Sequence, residues 1–393
     1  MAKYYSADYI MPVSGPPIKN GVVAVNDDGI VIDVLEKADH VKPGLIVKEH
    51  GIIVPGLVNS HCHLELSHLR GRFAEKQGLV PFLKEVISSR GKDDDGLVLE
   101  HMQRADEEMY NNGIVVVGDV SNRTISKSVK EKSKIHYHTY VESIGFDPAK
   151  AKEVFQHAVE MVDELKPLRS SIVPHAPYSV SKELLRYITH FCSSNGNPFC
   201  IHNQETDEEN QFYRYKTGAF LDFYKDMGLE LNFFKSQARN SLQTLLRYFP
   251  DNKNVMLVHN TYTSLKDIYF IQRMSRNINW CFCPKANLFI EGRLPKLDLF
   301  LMNGIGETVQ IGTDSLASND ELNILSELKV LHQHFPTINF SDSIKWVTLN
   351  GARFLKVDHR FGSIEKGKQP GLNLISHVNG LNLTEHSTIK RLI

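Results

Sequence analysis

The sequence predicts an α/β protein: a (β/α)8 TIM barrel carrying a small β-sandwich built from both chain ends. Three observations point there. Eight short apolar runs recur through the middle of the chain, helical stretches lie between them, and both ends hold short β-like segments broken by turns. Near-continuous apolar strands alternating with helices imply a parallel sheet covered by helices. Eight such units over roughly 300 residues fit a closed barrel. A doubly wound sheet is the competing fold. It needs a glycine-rich phosphate loop after its first strand, and Asn59-Ser60-His61 is not one.

The elements follow in chain order. Residues 21–25 and 29–34 are β-branched runs around Asn26-Asp27-Asp28, which is a hairpin signal. The barrel runs fall at residues 52–57, 114–120, 135–141, 171–175, 199–202, 255–259, 280–284 and 309–314. Residues 150–165 and 181–193 read as helices among them. A turn at 362–368 and a strand at 372–376 close the chain. The domains expected are a composite sandwich of residues 1–55 and 357–393, and a barrel of residues 56–356.

Bulk properties narrow the function. The chain has 393 residues, 41% hydrophobic and 23% charged, which is ordinary for a globular protein with a large core. A formal net charge of -1 with scattered basic residues leaves no electrostatic footprint for nucleic acid or an acidic membrane surface. No apolar run approaches the roughly 20 residues that span a bilayer. The N-terminus lacks the apolar core of a signal peptide. The five cysteines (Cys62, Cys192, Cys200, Cys281, Cys283) sit in apolar segments and read as reduced, buried thiols of a cytoplasmic protein.

Polar residues collect at one place in this scheme. His61-Cys62-His63 ends run one, and residues two apart on a strand share a side. His175 ends run four, His202 run five with Glu205 three residues on, His259 run six, and Asp314 run eight. Each has a bland role open to it. His202 can be a core histidine, Asp314 a helix cap, and His259 a partner for a carbonyl. His175 can be a turn residue, and Glu205 a solvated carboxylate at a helix start. In a barrel, however, all of them sit at C-terminal strand ends, which converge on one mouth. Three neutral imidazoles and a carboxylate suit one divalent metal ion, zinc foremost, with iron or manganese as alternatives. Such a cation brings the pKa of a water to about 7 and makes hydroxide available at neutral pH. A second acid must then protonate the leaving side of the substrate.

The chain resembles the amidohydrolase superfamily, in its branch of mononuclear deaminases and chlorohydrolases. The resemblance rests on residues 54–65 (Val-Pro-Gly-Leu-Val-Asn-Ser-His-Cys-His-Leu-Glu) with Leu69-Arg70-Gly71. It continues in His202-Asn203-Gln204-Glu205, in Cys283-Pro284-Lys285-Ala286-Asn287-Leu288 with Gly292, and in Gly312-Thr313-Asp314-Ser315 with Ser318-Asn319. The opening block and Pro174-His175-Ala176-Pro177-Tyr178-Ser179 look most like aminodeoxyfutalosine deaminases. The resemblance implies His61, His63, His202 and Asp314 as metal ligands. Asp314 would also take the proton of the attacking water, Glu205 would protonate a ring nitrogen, and His259 would hydrogen-bond the water or the tetrahedral intermediate. Glu65, Arg70, His175 and Ser318 would shape the substrate pocket. Binuclear members carry a carboxylated lysine where this chain has Pro174-His175-Ala176, so a single metal is expected. The usual Asp of the C-terminal strand is absent, Asn373 standing in its place.

The activity expected is hydrolytic deamination of an amino-substituted heterocycle by hydroxide attack on the amidine carbon, releasing ammonia. An adenine-type, nucleoside-like molecule such as aminodeoxyfutalosine is the substrate class. A hydrolase with another leaving group, a chlorohydrolase or cyclic amidase, is the second expectation, and a catalytically silent barrel with a structural role the third. Family analogy adds a homodimer as an assembly. The aromatic segment after Glu205 (Phe212, Tyr213, Phe220, Tyr224, Phe234) reads either as a helix packed on the barrel or as a wall against a flat substrate.

Overall fold

The computed structural model describes residues 2–37, 39, 41–251 and 254–393. Eight parallel strands form its centre: β1 (Leu57–Cys62), β2 (Ile114–Ser121), β3 (His136–Ser143), β4 (Arg169–Pro174), β5 (Phe199–Asn203), β6 (Val255–His259), β7 (Ile278–Phe282) and β8 (Val309–Ile311). They pair in sequence order in two halves, β1 to β4 and β5 to β8. Hydrogen bonds cross both seams. The His202 N–H donates to the His175 carbonyl at 2.9 Å, and the Thr313 N–H to the His61 carbonyl at 3.0 Å.

Helices cover the strands because their apolar residues fall on one face. The helix Ala151–Leu165 buries Ala158, Met161 and Leu165. The helix Lys182–Asn195 starts at Ser181, whose side chain accepts the Leu184 N–H, and stops at Gly196 in the left-handed region. A second apolar cluster draws on each of β3 to β7, with Tyr140, Val173, Cys200, Met256, Val258 and Cys281. All five cysteines are free and buried, as their apolar surroundings predict.

The chain ends build two further sheets. Lys3–Ser6, Val22–Val25, Val31–Leu35 and Ile46–Lys48 make a four-stranded sheet. Its hairpin turns on Asn26, whose Oδ1 accepts the N–H groups of Asp28 and Ile30. A five-stranded sheet joins Tyr9–Ile10, Ile18–Lys19 and Ile52–Pro55 to Leu372–Ser376 and Thr388–Arg391. Val23, Val25 and Val31 of the first sheet share a core with Ile10, Ile53 and Leu374 of the second.

The first run requires correction. Residues 52–57 are not one barrel strand: Ile52–Pro55 belongs to the five-stranded sheet, and β1 starts at Leu57. Gly56 separates them where a Cβ would lie 2.4 Å from the Pro370 carbonyl oxygen and from Val115 Cγ1. Asn373, in place of the usual Asp, is buried and donates to the Gly113 carbonyl at 2.9 Å, tying the small sheet to the start of β2.

Candidate metal and catalytic site

His61 lies in β1 and His63 just beyond it, in front of a short 3-10 turn at Leu64–Leu69. The pairing of β1 with β2 shifts register between Asn59 and Cys62. On the other side the Thr313 and Asp314 N–H groups both donate to the His61 carbonyl. Asn59 locks that contact, donating to Thr313 Oγ1 at 2.8 Å and accepting the Thr313 N–H at 3.1 Å. Gly312 permits it, since a Cβ there would lie 2.6 Å from the His61 carbonyl oxygen.

Backbone geometry aims the remaining groups. On β6, Val255 and Leu257 face the outer core while Met256 and Val258 face the inner cluster. Strict alternation would send His259 outward. Instead His259 takes a φ of +71°, and its ring turns to within 5.9 Å of the His61 ring and 5.3 Å of the His202 ring. Gln204, Asn260 and Asp314 also have left-handed φ values of +46°, +57° and +59°. Such strain costs on the order of 1–3 kcal/mol per residue and gathers where side-chain direction matters more than local stability.

The donors meet closely. His61 Nε2 is 3.1 Å from His63 Nε2, and His63 Nε2 is 3.4 Å from His202 Nε2. Asp314 Oδ1 lies 3.4 Å from His63 Nε2 and 3.9 Å from His61 Nε2. His202 Nδ1 donates to the His175 carbonyl at 2.7 Å, so its Nε2 lone pair faces the cluster. Burial pushes the pKa of His61 well below the usual imidazole value and that of His63 to about 4, favouring their neutral forms. Three imidazole nitrogens and a carboxylate oxygen thus converge on one buried point, the donor set of a divalent cation. Ligands about 2.1 Å from one tetrahedral zinc stand roughly 3.4 Å apart. The residues therefore fit one such ion.

Two acid–base groups flank the cluster. Glu205 Oε1 is 3.6 Å from His259 Nε2, with both side chains buried. Burial, then the charge of Asp314, raises the Glu205 pKa well above the ordinary carboxylate range. Burial likewise raises Asp314, whose Oδ2 accepts from Ser318 at 3.0 Å. Asn287 Nδ2 donates to His259 Nδ1 at 3.3 Å, which leaves the proton on Nε2, facing Glu205.

The other expected residues are spread around this centre. The His175 ring centroid is 4.9 Å from that of His202, and its Nδ1 pairs with Ser179 Oγ at 2.6 Å. Glu65 is buried, accepts the N–H groups of Asn122 and Arg123, and has its pKa raised to about 7 by burial. It lines a cleft with Arg90 and Asn122. Arg70 makes a two-pronged ion pair with Glu108. Arg70 and Ser318 line a second cleft with Phe73 and Leu316. Asp314 caps no helix, and Glu205 is not solvated, because Thr206 caps the next helix and Asn323 the one after Asp314.

Several participants escaped the sequence reading. Glu142, the penultimate residue of β3 and one beyond the expected run, is buried 3.7 Å from His202 Nδ1. Glu209 accepts the Gln204 N–H at 3.0 Å and a bond from Ser241, fixing the turn that carries Glu205. A carboxylate at the third position of a helix was the available signal.

Imidazoles and carboxylates gathered at the C-terminal ends of parallel strands define the class of metal-binding α/β hydrolases. The chain belongs to the amidohydrolase family, whose model matches residues 52–389. It is 26% identical over 336 residues to an adenosine deaminase of Helicobacter pylori, covering 83% of this chain and 79% of that protein. The fold is similar to that of Helicobacter pylori aminofutalosine deaminase in complex with methylthio-coformycin, with a TM-score of 0.82, 20% identity and full coverage of both chains. It is also similar to an atrazine chlorohydrolase from Arthrobacter aurescens complexed with zinc, with a TM-score of 0.76, 16% identity, and 97% and 89% coverage.

Proposed function

We propose that this chain is a metal-dependent aminohydrolase that replaces the exocyclic amino group of an adenine-type, nucleoside-like heterocycle with oxygen, releasing ammonia. The observation that carries the reading is the meeting of three imidazole Nε2 atoms and Asp314 beside a buried, high-pKa Glu205. The named activities of the relatives support the reaction class.

His61, His63, His202 and Asp314 would hold one zinc ion, which when bound supplies Lewis acidity that makes hydroxide available near pH 7. Asp314 takes the proton of the attacking water. Glu205 enters protonated and delivers its proton to the ring nitrogen next to the amidine carbon, so that the ring does not carry negative charge as the new C–O bond forms. The His259 Nε2–H hydrogen-bonds the incoming oxygen. Asp314 then passes the proton it took from the water to the exocyclic nitrogen, the C–N bond breaks with its electron pair leaving on ammonia, and the proton of the new hydroxyl returns to Glu205 as the carbonyl forms. Glu65, Arg70 and His175 would shape the substrate pocket from separate sides of the centre, and Ser318, which lines the Arg70 cleft, would also steady Asp314 through its hydroxyl.

The same reading treats the eight strands as one closed barrel over residues 56–356, with residues 1–55 and 357–393 as a composite β-sandwich. It places the enzyme in the cytoplasm, consistent with five free thiols. Its partners are the small substrate and, by family analogy, a second copy of the chain. The likeness to a chlorohydrolase supports a second reading in which chloride leaves instead. Glu205 favours deamination, because a ring nitrogen needs a proton donor.

The test is ammonia release across adenine nucleosides, aminodeoxyfutalosine, S-adenosylhomocysteine, guanine and cytosine, with chloride release from a chlorotriazine and metal content measured in parallel. Ammonia from an adenine-type substrate is expected. Chloride release alone would favour the second reading. Protein that takes up no metal and turns over none of the panel would favour a silent barrel.

A further inference from the structure

We propose that Asp119 is a positioning residue for the His61/His63 pair, acting through the backbone amide of Leu64, and that Lys130 is the counter-ion that lets this carboxylate be buried. The inference rests on the metal-site reading above.

The 3-10 turn after His63 needs an anchor. Pairing of β1 with β2 slips between Asn59 and Cys62, so the ladder does not continue to Leu64. The Leu64 N–H donates instead to Asp119 Oδ1 at 2.7 Å. Asp119 stands on β2 directly opposite Cys62. Its other oxygen accepts from Ser121 Oγ at 3.1 Å and pairs with Lys130 Nζ at 2.6 Å, both charged side chains being fully buried. The ammonium is satisfied all round: Ser121 Oγ is 3.1 Å away and Thr139 Oγ1 3.0 Å. No freedom is left for the carboxylate to turn away from Leu64.

Stability alone gives little reason for this arrangement. Two buried charges lose their hydration, and apolar residues of similar volume commonly serve as well or better. What an apolar pair cannot do is accept the Leu64 N–H. His61 is already fixed from the β8 side by the Thr313 and Asp314 amides. Asp119 supplies the matching restraint on the β2 side, one residue past His63. Removal of groups that orient metal ligands commonly weakens metal binding by about 10–100-fold.

The experiment uses full-length protein, with zinc alone titrated against a chromophoric chelator and with thermal unfolding of the metal-free form. Asp119→Leu combined with Lys130→Met is expected to unfold within a few degrees of wild type while binding zinc about 10–100-fold more weakly. Asp119→Asn combined with Lys130→Met keeps an acceptor for Leu64 without the charges, and is expected to recover zinc affinity to within about threefold of wild type. Equal zinc affinity for the leucine–methionine variant and wild type would overturn the proposal, as would failure of the asparagine–methionine variant to recover. Should the leucine–methionine variant not fold, amide hydrogen exchange in wild type decides: strong protection of Leu64 is expected, and exchange at the rate of an exposed amide overturns it. Wild-type protein that takes up no zinc would instead remove the metal-site reading, and this inference with it.

Discussion

His259 Nε2 faces Glu205 Oε1 at 3.6 Å inside a wall of buried side chains. Burial pushes the two groups in opposite directions, the imidazole toward its neutral form and the carboxyl toward its protonated form. Both shifts favour the uncharged forms, which is what the proposed role of Glu205 as an acid needs. Glu205→Gln keeps the shape and removes the acid. We expect unchanged zinc content and a kcat lower by about 10²–10⁴-fold. Ammonia-release kinetics with metal analysis on the same sample check this, and a kcat within threefold of wild type would exclude Glu205 as the proton donor.

Asp314 has two duties where Glu205 has one. In the proposed reaction it would stand among the metal ligands, 3.4 Å from His63 Nε2, and would also take the proton of the attacking water. Asp314→Ala is expected to lose both metal and turnover. Full zinc occupancy in this variant would show that the three histidines suffice and that Asp314 acts only as a base.

The sequence made most of this site legible because its residues fall at strand ends, where an apolar run stops and a polar side chain begins. His61, His63, His202, His259 and Asp314 were found that way. The supporting carboxylates were not. Asp119 sits inside an apolar run, and its partner Lys130 lies in a lysine-rich stretch that reads as surface. Glu209 follows Asp207 and Glu208, and a run of acids at a helix start hides the one that is fully buried. The boundary at Gly56 was hidden because apolar residues continue on both sides, and periodicity cannot separate two strands joined without a polar break.

The aromatic segment after Glu205 packs as a core rather than as a wall. Phe212 is fully buried and stacks on Phe234 with ring centroids 4.5 Å apart, and the Tyr213 hydroxyl donates to the Pro177 carbonyl at 2.7 Å. Phe212→Ala should therefore cost about 3–5 kcal/mol of stability in urea unfolding and leave KM of the folded enzyme unchanged. A raised KM with wild-type stability would restore the wall.

A buried histidine outside the proposed ligand set ties stability to pH. His138 on β3 is buried, bonds Ser171 Oγ at 3.0 Å, and has its pKa lowered to about 3 by burial first and then by the charge of Arg169. Its folded pKa lies below the unfolded value near 6.5, so the unfolded chain takes up the proton first. The stability tied to its neutral form is complete above pH 6.5 and falls as pH drops toward 3, by up to about 1.4 kcal/mol per pH unit. His138→Gln removes that titration. Urea midpoints measured on metal-free protein from pH 7.5 to 4 should show the variant losing less stability than wild type across the acid range. Parallel curves would mean that His138 is protonated as readily in the folded protein as in the unfolded chain.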